Sequence, residues 1–502
     1  MADVLVVGAG VGGLAAAVVL AARGLNVEVL EAADRPGGKL GIGIVDGTEF
    51  DTGPSVLTLP VVLDRIFRLV GTSLEDELEL RAAAPAFRYL YPDGVALDIY
   101  PDLPRTLGSV EQTLGGAAAR EMEAFLAYGR RIWEAAAPHF VFGPAPSPAS
   151  LMQVGLSGIK LLGRIDPLRG MWSVIRRRVR SQHLRMLFAR YATYNGSDPR
   201  TAPATLNCIA HVELALGGYG VKGGMYEITR ALVRVAERLG VRLHYGARVT
   251  RITVEGGGVA AVETADGARW RTGAVIANAD VAQVFGELIP GTERGAAAAA
   301  GAPSMSGWTG ILRARRREGP QARVAHTVLF PTDYLEEFRD IFDRNRPPRE
   351  PTVYLCAQEV CHGRSGWAEH EPIFLMANAP AEPGSDATPE HVWDAFRAGV
   401  LDRLHGVGLC AADDLLVWER TPTQLARQFP GSRGSIYGAA SNSPLAAFRR
   451  PANRVRGVGG LYLASGSAHP GGGMPLCLLS GCAAAQALLS DRGMQPLETE
   501  WE

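Results

Sequence analysis

The feature that most restricts the fold of this 502-residue chain is a glycine-rich turn close to its N-terminus. An apolar stretch at residues 3–7 predicts a strand, and an alanine-rich stretch at residues 12–23 predicts a helix. The turn between them has the pattern G-x-G-x-x-G. In this pattern Gly8 permits a tight turn, Gly10 lets the backbone approach a pyrophosphate, and Gly13 lets helix and strand pack closely. The helix N-terminus offers free N–H groups to phosphate oxygens, so the unit predicts a dinucleotide-binding domain.

An acidic residue stands where such a unit needs one. A second predicted strand, residues 26–30, is followed by Glu31, 18 residues after Gly13. A carboxylate at this position can accept hydrogen bonds from both ribose hydroxyls of an adenosine. Continuous apolar strands joined by a helix are also typical of a parallel sheet buried on both faces. The predicted fold class is therefore α/β, with a Rossmann-like cofactor domain.

Composition excludes several classes of protein. Hydrophobic residues make up 47% of the chain and charged residues 21%, which is typical of a globular protein and not of a disordered one. The 51 basic and 52 acidic residues give a net charge of −1, so no nucleic-acid partner is predicted. The six cysteines form no C-x-x-C pair, and neither a disulfide framework nor a metal site is predicted.

One uncharged run, residues 4–22, is long enough for hydropathy alone to predict a membrane span. Its glycines divide it into a strand, a turn and a helix, so a β-turn-α unit explains it better. We therefore predict no transmembrane helix. The first residues lack the basic segment of a secretory signal, and a cytoplasmic location is expected.

The cofactor-binding patterns fall in three separate parts of the chain. Strand and turn signals near residue 250 and a strand followed by a helix near the C-terminus complement the N-terminal unit. We predict one cofactor domain assembled from residues 1–75, 216–290 and 431–502. Residues 76–215 are predicted as a helical region for substrate and membrane association, and residues 291–430 as a substrate-binding domain.

Further motifs give the chain a family resemblance. Residues 35–39 read R-P-G-G-K, residues 275–280 read V-I-A-N-A-D, residues 434–438 read G-S-I-Y-G, and residues 466–475 read G-S-A-H-P-G-G-G-M-P. With these motifs the sequence resembles the phytoene-desaturase-type flavoproteins, carotenoid desaturases of the glutathione-reductase-like superfamily that also contains the amine oxidases. The resemblance extends over nearly the whole chain and implies a Rossmann-like FAD-binding domain with an inserted substrate-binding domain.

The resemblance and the fingerprint together assign a set of FAD contacts. The set is Gly8, Gly10, Gly12, Gly13, Glu31, Arg35, Gly37, Gly38, Lys39, Gly53, Val249, Gly466, Ser467, Gly473 and Met474. Ser467 stands where many relatives outside the family have an acid, so its contact would be a neutral hydrogen bond. Two roles remain open for His469, which is either a catalytic residue or a turn residue bonded to its neighbours.

The activity implied by the resemblance is desaturation of an acyclic carotenoid. A hydride passes to flavin N5, a neighbouring proton is lost, and oxygen or a quinone reoxidises the flavin. Residues 466–481 are closer to enzymes that desaturate 1-hydroxylated carotenoids at the 3,4 position. Phytoene or diapophytoene desaturase, carotenoid isomerase and polyene saturase remain alternatives. A non-enzymatic carrier of prenyl lipids is disfavoured, because the phosphate-binding glycines and Glu31 are all present.

A carotenoid dissolves in the bilayer, so the enzyme has to collect it there. Residues 151–188 combine apolar side chains and Trp172 with Arg176, Arg177, Arg178 and Arg180, a mixture suited to an anionic membrane surface. A core helix with solvated arginines is the equally weighted alternative. Peripheral association of a cytoplasmic enzyme with the membrane is thus an expectation.

Overall fold

The computed structural model describes residues 2–145, 163–290, 301–383, 387–443 and 450–495. The strands are β1 Val4–Val7, β2 Val27–Leu30, β3 Ile42–Val45, β4 Thr48–Asp51, β5 Leu80–Arg81, β6 Phe87–Leu90, β7 Ala96–Ile99, β8 Gly220–Val221, β9 Arg242–His244, β10 Val249–Glu255, β11 Gly258–Thr264, β12 Arg269–Arg271, β13 Val275–Ala277, β14 Ser306–Arg315, β15 His326–Leu329, β16 Val353–Ala357, β17 His370–Ala379, β18 Leu415–Arg420 and β19 Leu461–Leu463.

The α-helices lie mainly in the first half of the chain and around the second sheet. They are α1 Val11–Ala21, α2 Val61–Arg68, α3 Leu74–Glu77, α4 Leu103–Leu114, α5 Gly116–Ala136, α6 Met171–Arg178, α7 Gln182–Arg190, α8 Cys208–Leu216, α9 Glu227–Arg238, α10 Val281–Gln283, α11 Tyr334–Phe338, α12 Gln358–His362, α13 Glu390–Gly406, α14 Pro422–Gln428 and α15 Met474–Asp491.

Five parallel strands form the centre of the cofactor domain, in the order β19-β13-β1-β2-β9. Strands β1 and β2 are buried at every position, as expected for a sheet covered on both faces. Glu28 of β2 is the charged residue among them, and it pairs with Arg242 and His244 of β9. Helices α1, α9 and α15 pack on one face, and the antiparallel sheet β10-β11-β12 packs on the other. Strands from three distant parts of the sequence thus share one sheet, and the predicted α/β fold is confirmed.

A second sheet has seven strands in the order β18-β14-β17-β16-β15-β6-β7. Its β6 and β7 come from the region that the sequence predicts to be helical, and β6 pairs in parallel with β15. That part of the helical prediction was wrong. The alternation of buried Phe87 and Tyr89 with less buried neighbours is the strand signal that was overlooked.

Helices α1 and α15 cross so closely that their backbones meet. A Cβ atom added at Gly481 would overlap the carbonyl oxygen of Gly12, and one added at Gly12 would lie 2.7 Å from the carbonyl oxygen of Ala464. Glycine is therefore required where the C-terminal helix rests on the N-terminal one. This crossing joins the first and last segments of the cofactor domain.

Helix α15 also bears on the question of membrane spans. In the described part of the chain, Met474–Asp491 is the helix that is long and apolar enough to cross a bilayer, and 56% of it is buried inside the structure. It packs on α1 and on β19 within the core of the cofactor domain. The apolar run at residues 4–22 forms β1, the turn and α1, as predicted.

The helix crossing leads to a stability prediction with an internal control. Gly481→Ala should destabilise the protein by about 1–3 kcal/mol, because the added methyl group forces α1 and α15 apart. Gly399 lies on the exposed side of α13 with open space beyond it, so Gly399→Ala should stabilise by about 0.5–1 kcal/mol through helix propensity. Urea unfolding of the two variants measures both effects. Equal stabilisation by both substitutions would contradict the proposed crossing.

Candidate active site

A cavity of about 1540 Å³ runs from the ends of the parallel strands to the second sheet. One end is lined by the glycine-rich turn, the 31–43 loop and the start of α15. The other end is lined by the faces of β14, β16 and β17 and by residues from α5, α7 and α8. The cavity thus connects the ends of the parallel sheet with the second sheet.

Asn278 determines the shape of the glycine turn. Its side-chain Nδ2 donates to the carbonyl oxygen of Ala464, and its backbone N–H donates to Val7 O at 2.8 Å. A Cβ at Gly10 would lie 2.5 Å from Asn278 Oδ1, and one at Gly8 would lie 2.8 Å from Asn278 O. Both glycines line the cavity, but their missing side chains make room for Asn278. Glycine is therefore required at position 10 by the contact with Asn278 as well as by the predicted approach to a pyrophosphate.

Glu31 lies directly after β2 at the edge of the cavity. Its Oε2 accepts a hydrogen bond from Ala9 N at 2.6 Å, and its Oε1 accepts one from Ala33 N at 2.8 Å. These bonds hold the carboxylate beside the glycine turn, and each oxygen keeps a further acceptor position. The arrangement suits a carboxylate that accepts from ribose hydroxyls.

The two predicted cations differ in their surroundings. Arg35 is exposed at the cavity rim, and its Nε lies 3.2 Å from Asp34 Oδ1. Lys39 lies inside, where its Nζ donates to Ser435 O at 2.7 Å and Ile436 O at 3.1 Å. Burial lowers the pKa of the Lys39 ammonium. Gly37 and Gly38 also line the cavity, and Gly37 N donates to Ala9 O at 2.8 Å.

Gly473 offers an open cradle at the start of α15. Its φ of +106° favours glycine, and a Cβ there would meet no atom within 4 Å. Met474 and the rest of the first turn line the same part of the cavity. The N-terminus of α15 therefore presents free N–H groups and a partial positive charge to this space.

Other predicted contacts serve the protein itself. Ser467 Oγ accepts from Val281 N at 2.9 Å and lies 2.9 Å from Ser465 Oγ, so its hydroxyl satisfies the first N–H group of α10. Gly466 O accepts from Arg450, and a Cβ at Gly53 would overlap the carbonyl oxygen of Lys39. These residues and Val249 line the cavity.

His469 lies outside the cavity lining. It is 3% exposed, and its Nε2 lies 2.9 Å from the carbonyl oxygen of Gly143, which requires the ring nitrogen to donate. Burial lowers the pKa of this imidazole. The side chain therefore connects the C-terminal motif to Gly143, in the segment that follows α5.

Two polar residues at the apolar end of the cavity, one in its lining and one behind its wall, were missed by sequence reasoning. Arg190 at the end of α7 lines it and is 94% buried. Glu337 lies behind its wall, where Thr352 and Asn378 donate to the carboxylate at 2.6 and 3.0 Å. Burial raises the pKa of Glu337 to about 7. Both residues are far in sequence from any glycine motif, and no local pattern marks them.

One cluster brings possible metal ligands together beneath this wall. His326, Cys356 and Cys361 place a ring nitrogen and two thiols within 4.8 Å of one another. His326 also bonds to the hydroxyl of Tyr354 at 2.7 Å. Burial raises the pKa of Cys356 to about 12, which favours a protonated thiol over the thiolate that metals bind.

The cavity reaches the surface beside the start of α6. Leu168 lines it and is 86% exposed. The apolar residues Met171, Val174 and Ile175 are buried in the core, whereas Arg176–Arg178 are exposed. Residues 151–162 of the predicted membrane-binding segment, which extends over residues 151–188, lie outside the described residues.

Known proteins resemble this chain over most of its length. Residues 11–317 match the family described as flavin containing amine oxidoreductase. Hydroxyneurosporene desaturase of Rhodobacter capsulatus is 37% identical over 98% of each chain, and the 1-hydroxycarotenoid 3,4-desaturase of a Flavobacterium species is 29% identical over 96% of this chain and 97% of its own. Cyclohexylamine oxidase of Brevibacterium oxydans superposes with a TM-score of 0.58 at 18% identity, over 98% of this chain and 99% of that one.

The residues present fit a flavin dinucleotide. The glycine turn, the Glu31 carboxylate and the open cradle at Gly473 lie along one cavity, at positions suited to phosphates, ribose and a planar ring. The predicted FAD cofactor and the predicted class of enzyme are confirmed by the family match. This chain belongs to the flavin containing amine oxidoreductase family and is an FAD-dependent oxidoreductase.

Proposed function

We propose that this chain desaturates an acyclic carotenoid in carotenoid biosynthesis, and that its reaction is the 3,4-desaturation of a 1-hydroxylated carotenoid. The observation that carries the proposal is one continuous cavity, which begins at the flavin cradle and extends between apolar and aromatic walls. The names of several relatives, among them hydroxyneurosporene desaturases 34–37% identical to this chain, support the substrate class.

The volume of the cavity suits two large ligands at once. At about 1540 Å³ it exceeds the roughly 300–1,000 Å³ of sites for small ligands, so a polyene can lie beside a dinucleotide. The walls beside a polyene chain consist of flat aromatic rings and a flexible methionine, provided by Tyr354, Phe374, Trp418 and Met376. Such walls exclude water and orient the chain by shape, since a hydrocarbon offers no hydrogen bond.

When bound, FAD supplies an acceptor for a hydride. The residues of the chain orient the C–H bonds and keep water away from the positive charge that develops on the polyene. The polyene itself delocalises that charge, so the remaining proton can leave without a strong base. In this proposal His469 positions the loop at Gly143 and the C-terminal motif, because it donates to Gly143 O and does not line the cavity. The proposed electron acceptor is oxygen or a quinone.

The proposed reaction is tested by anaerobic mixing of purified, FAD-loaded protein with single carotenoids in detergent or liposomes. With a 1-hydroxylated acyclic carotenoid we expect the flavin absorbance to bleach while the polyene absorbance moves to longer wavelength. These changes should occur together, because each desaturation reduces one flavin and lengthens the conjugation. Phytoene should react much more slowly. Bleaching with phytoene alone would assign the chain to phytoene desaturation instead.

Gly473 allows the flavin cradle to be tested against a matched glycine. Gly473→Ala should lower the FAD content of purified protein by at least about tenfold, because the new methyl group enters the open cradle. Gly493, after the other end of α15, has a φ of +67° and equally open space. Gly493→Ala also places an alanine at a positive φ, at a cost of about 1–2 kcal/mol, but should keep its flavin. Loss of flavin from both variants would point to destabilised folding rather than a cofactor contact.

We further propose that the enzyme is cytoplasmic and docks peripherally on the membrane at the mouth of the cavity. Leu168 exposes most of its side chain there, and Arg176–Arg178 are exposed nearby on α6. An apolar tip beside cations suits an anionic lipid surface. The buried residues of α6 anchor this surface to the core.

The docking surface is tested by replacing Arg176, Arg177, Arg178 and Arg180 with Gln. Each cation contributes about 1 kcal/mol at an anionic surface, so binding to anionic liposomes should fall by at least about tenfold. Leu168→Ser should weaken binding to neutral liposomes as well. Flavin content should remain unchanged in both variants. Co-sedimentation of the fourfold variant with anionic liposomes at the level of the parent would place docking elsewhere.

A further inference from the structure

Arg190 carries a charge where a hydrocarbon channel does not need one. It is the last residue of α7, is 94% buried and lines the cavity. Its guanidinium stays protonated in proteins, and a buried charge is costly unless it is paired. Neighbouring protein groups or a ligand therefore have to stabilise the charge of the guanidinium.

The surroundings of Arg190 stabilise the charge only in part. The guanidinium carbon lies 5.6 Å from the ring centroids of Phe87 and Tyr89 and 5.1 Å from that of Tyr194. Such cation–π contacts are worth about 0.5–2 kcal/mol each. The nearest carboxylate, Glu213, is separated from Arg190 by tyrosines, since it accepts hydrogen bonds from Tyr194 and Tyr191.

Most hydrogen-bond donors of Arg190 remain available. In the described part of the chain, its side chain donates to Tyr89 Oη at 3.1 Å and to no other protein group. A guanidinium has five N–H groups. No nitrogen of Arg190 is among the enclosed polar atoms that lack a partner. The remaining donors therefore face the cavity, where a ligand can reach them.

We propose that Arg190 binds the hydroxyl oxygen of the carotenoid and thereby selects hydroxylated substrates. This inference rests on the proposed desaturation. A polyene has no acceptor for the free N–H groups. An oxygen on the saturated end of the chain supplies one. In a 1-hydroxylated carotenoid that oxygen is two carbons from C3, so fixing it also selects the C3–C4 bond.

The test compares two substrates of equal chain length, one with the 1-hydroxyl group and one without it. For Arg190→Met we expect kcat/KM for the hydroxylated substrate to fall about 10- to 100-fold, as for a lost hydrogen bond to a charged group. The value for the hydrocarbon should stay within about threefold or rise, because the cavity becomes more apolar. Arg269→Met, at an exposed ion pair on β12, is the control and should change neither value.

Further variants and a spectral readout separate the possible outcomes. Arg190→Gln keeps neutral donors and should recover part of the preference for the hydroxylated substrate, and it also serves if the Met variant folds poorly. Equal losses on both substrates, with a shifted flavin spectrum, would show that Arg190 serves the cofactor and would overturn the inference. An unchanged preference in a folded, flavin-loaded Arg190→Met variant would also overturn it. Failure of the parent protein to desaturate either substrate would instead contradict the proposed function.

Discussion

The three segments of the cofactor domain are held together at Asn278. This residue follows β13 directly, binds Val7 at the end of β1 and donates its side-chain amide to Ala464 after β19. A Cβ at Gly8 would meet the backbone carbonyl oxygen of Asn278, and a Cβ at Gly10 would meet its side-chain Oδ1, so neither glycine can carry one. The fingerprint is thus shaped by a protein contact as well as by the cofactor. Gly12, where α1 and α15 cross, lies beside the same amide, since a Cβ there would be 3.0 Å from Asn278 Nδ2.

The cavity separates two kinds of electrostatic environment. At the cofactor end, backbone N–H groups, the start of α15 and Lys39 supply diffuse positive potential that suits phosphates and a reduced flavin ring. Toward the second sheet the walls include many aromatic and aliphatic side chains together with Glu419 and Arg420, and Arg190 is a buried charge among rings. Diffuse potential stabilises a developing anion, whereas a single directed cation can recognise one oxygen on an otherwise uniform hydrocarbon.

Much of the cofactor domain could be predicted, because its signals are local. Strand, turn and helix follow one another within residues 4–21, and Glu31 follows at a fixed distance, so backbone geometry leaves few alternatives. The strands β6 and β7 were missed although a turn sequence, Pro92-Asp93-Gly94, separates them, because the long stretch that follows them is helical. The pairing of β6 with β15 depends on residues more than 200 positions away. The apolar residues of α6 suggested a membrane surface, but their burial against neighbouring helices is a matter of tertiary packing.

The amino-acid sequence by itself determined the dinucleotide unit, the α/β class, the flavin family and the positions of the glycines and Glu31. These features depend on short-range geometry and on residue types that few other arrangements tolerate. Only the tertiary structure decided which contacts the glycines make, where His469 points and that Arg190 lines the cavity with free donors. Burial and hydrogen-bond partnership arise when distant segments meet. The physical role of a polar side chain depends on that environment, which its neighbours in sequence do not specify.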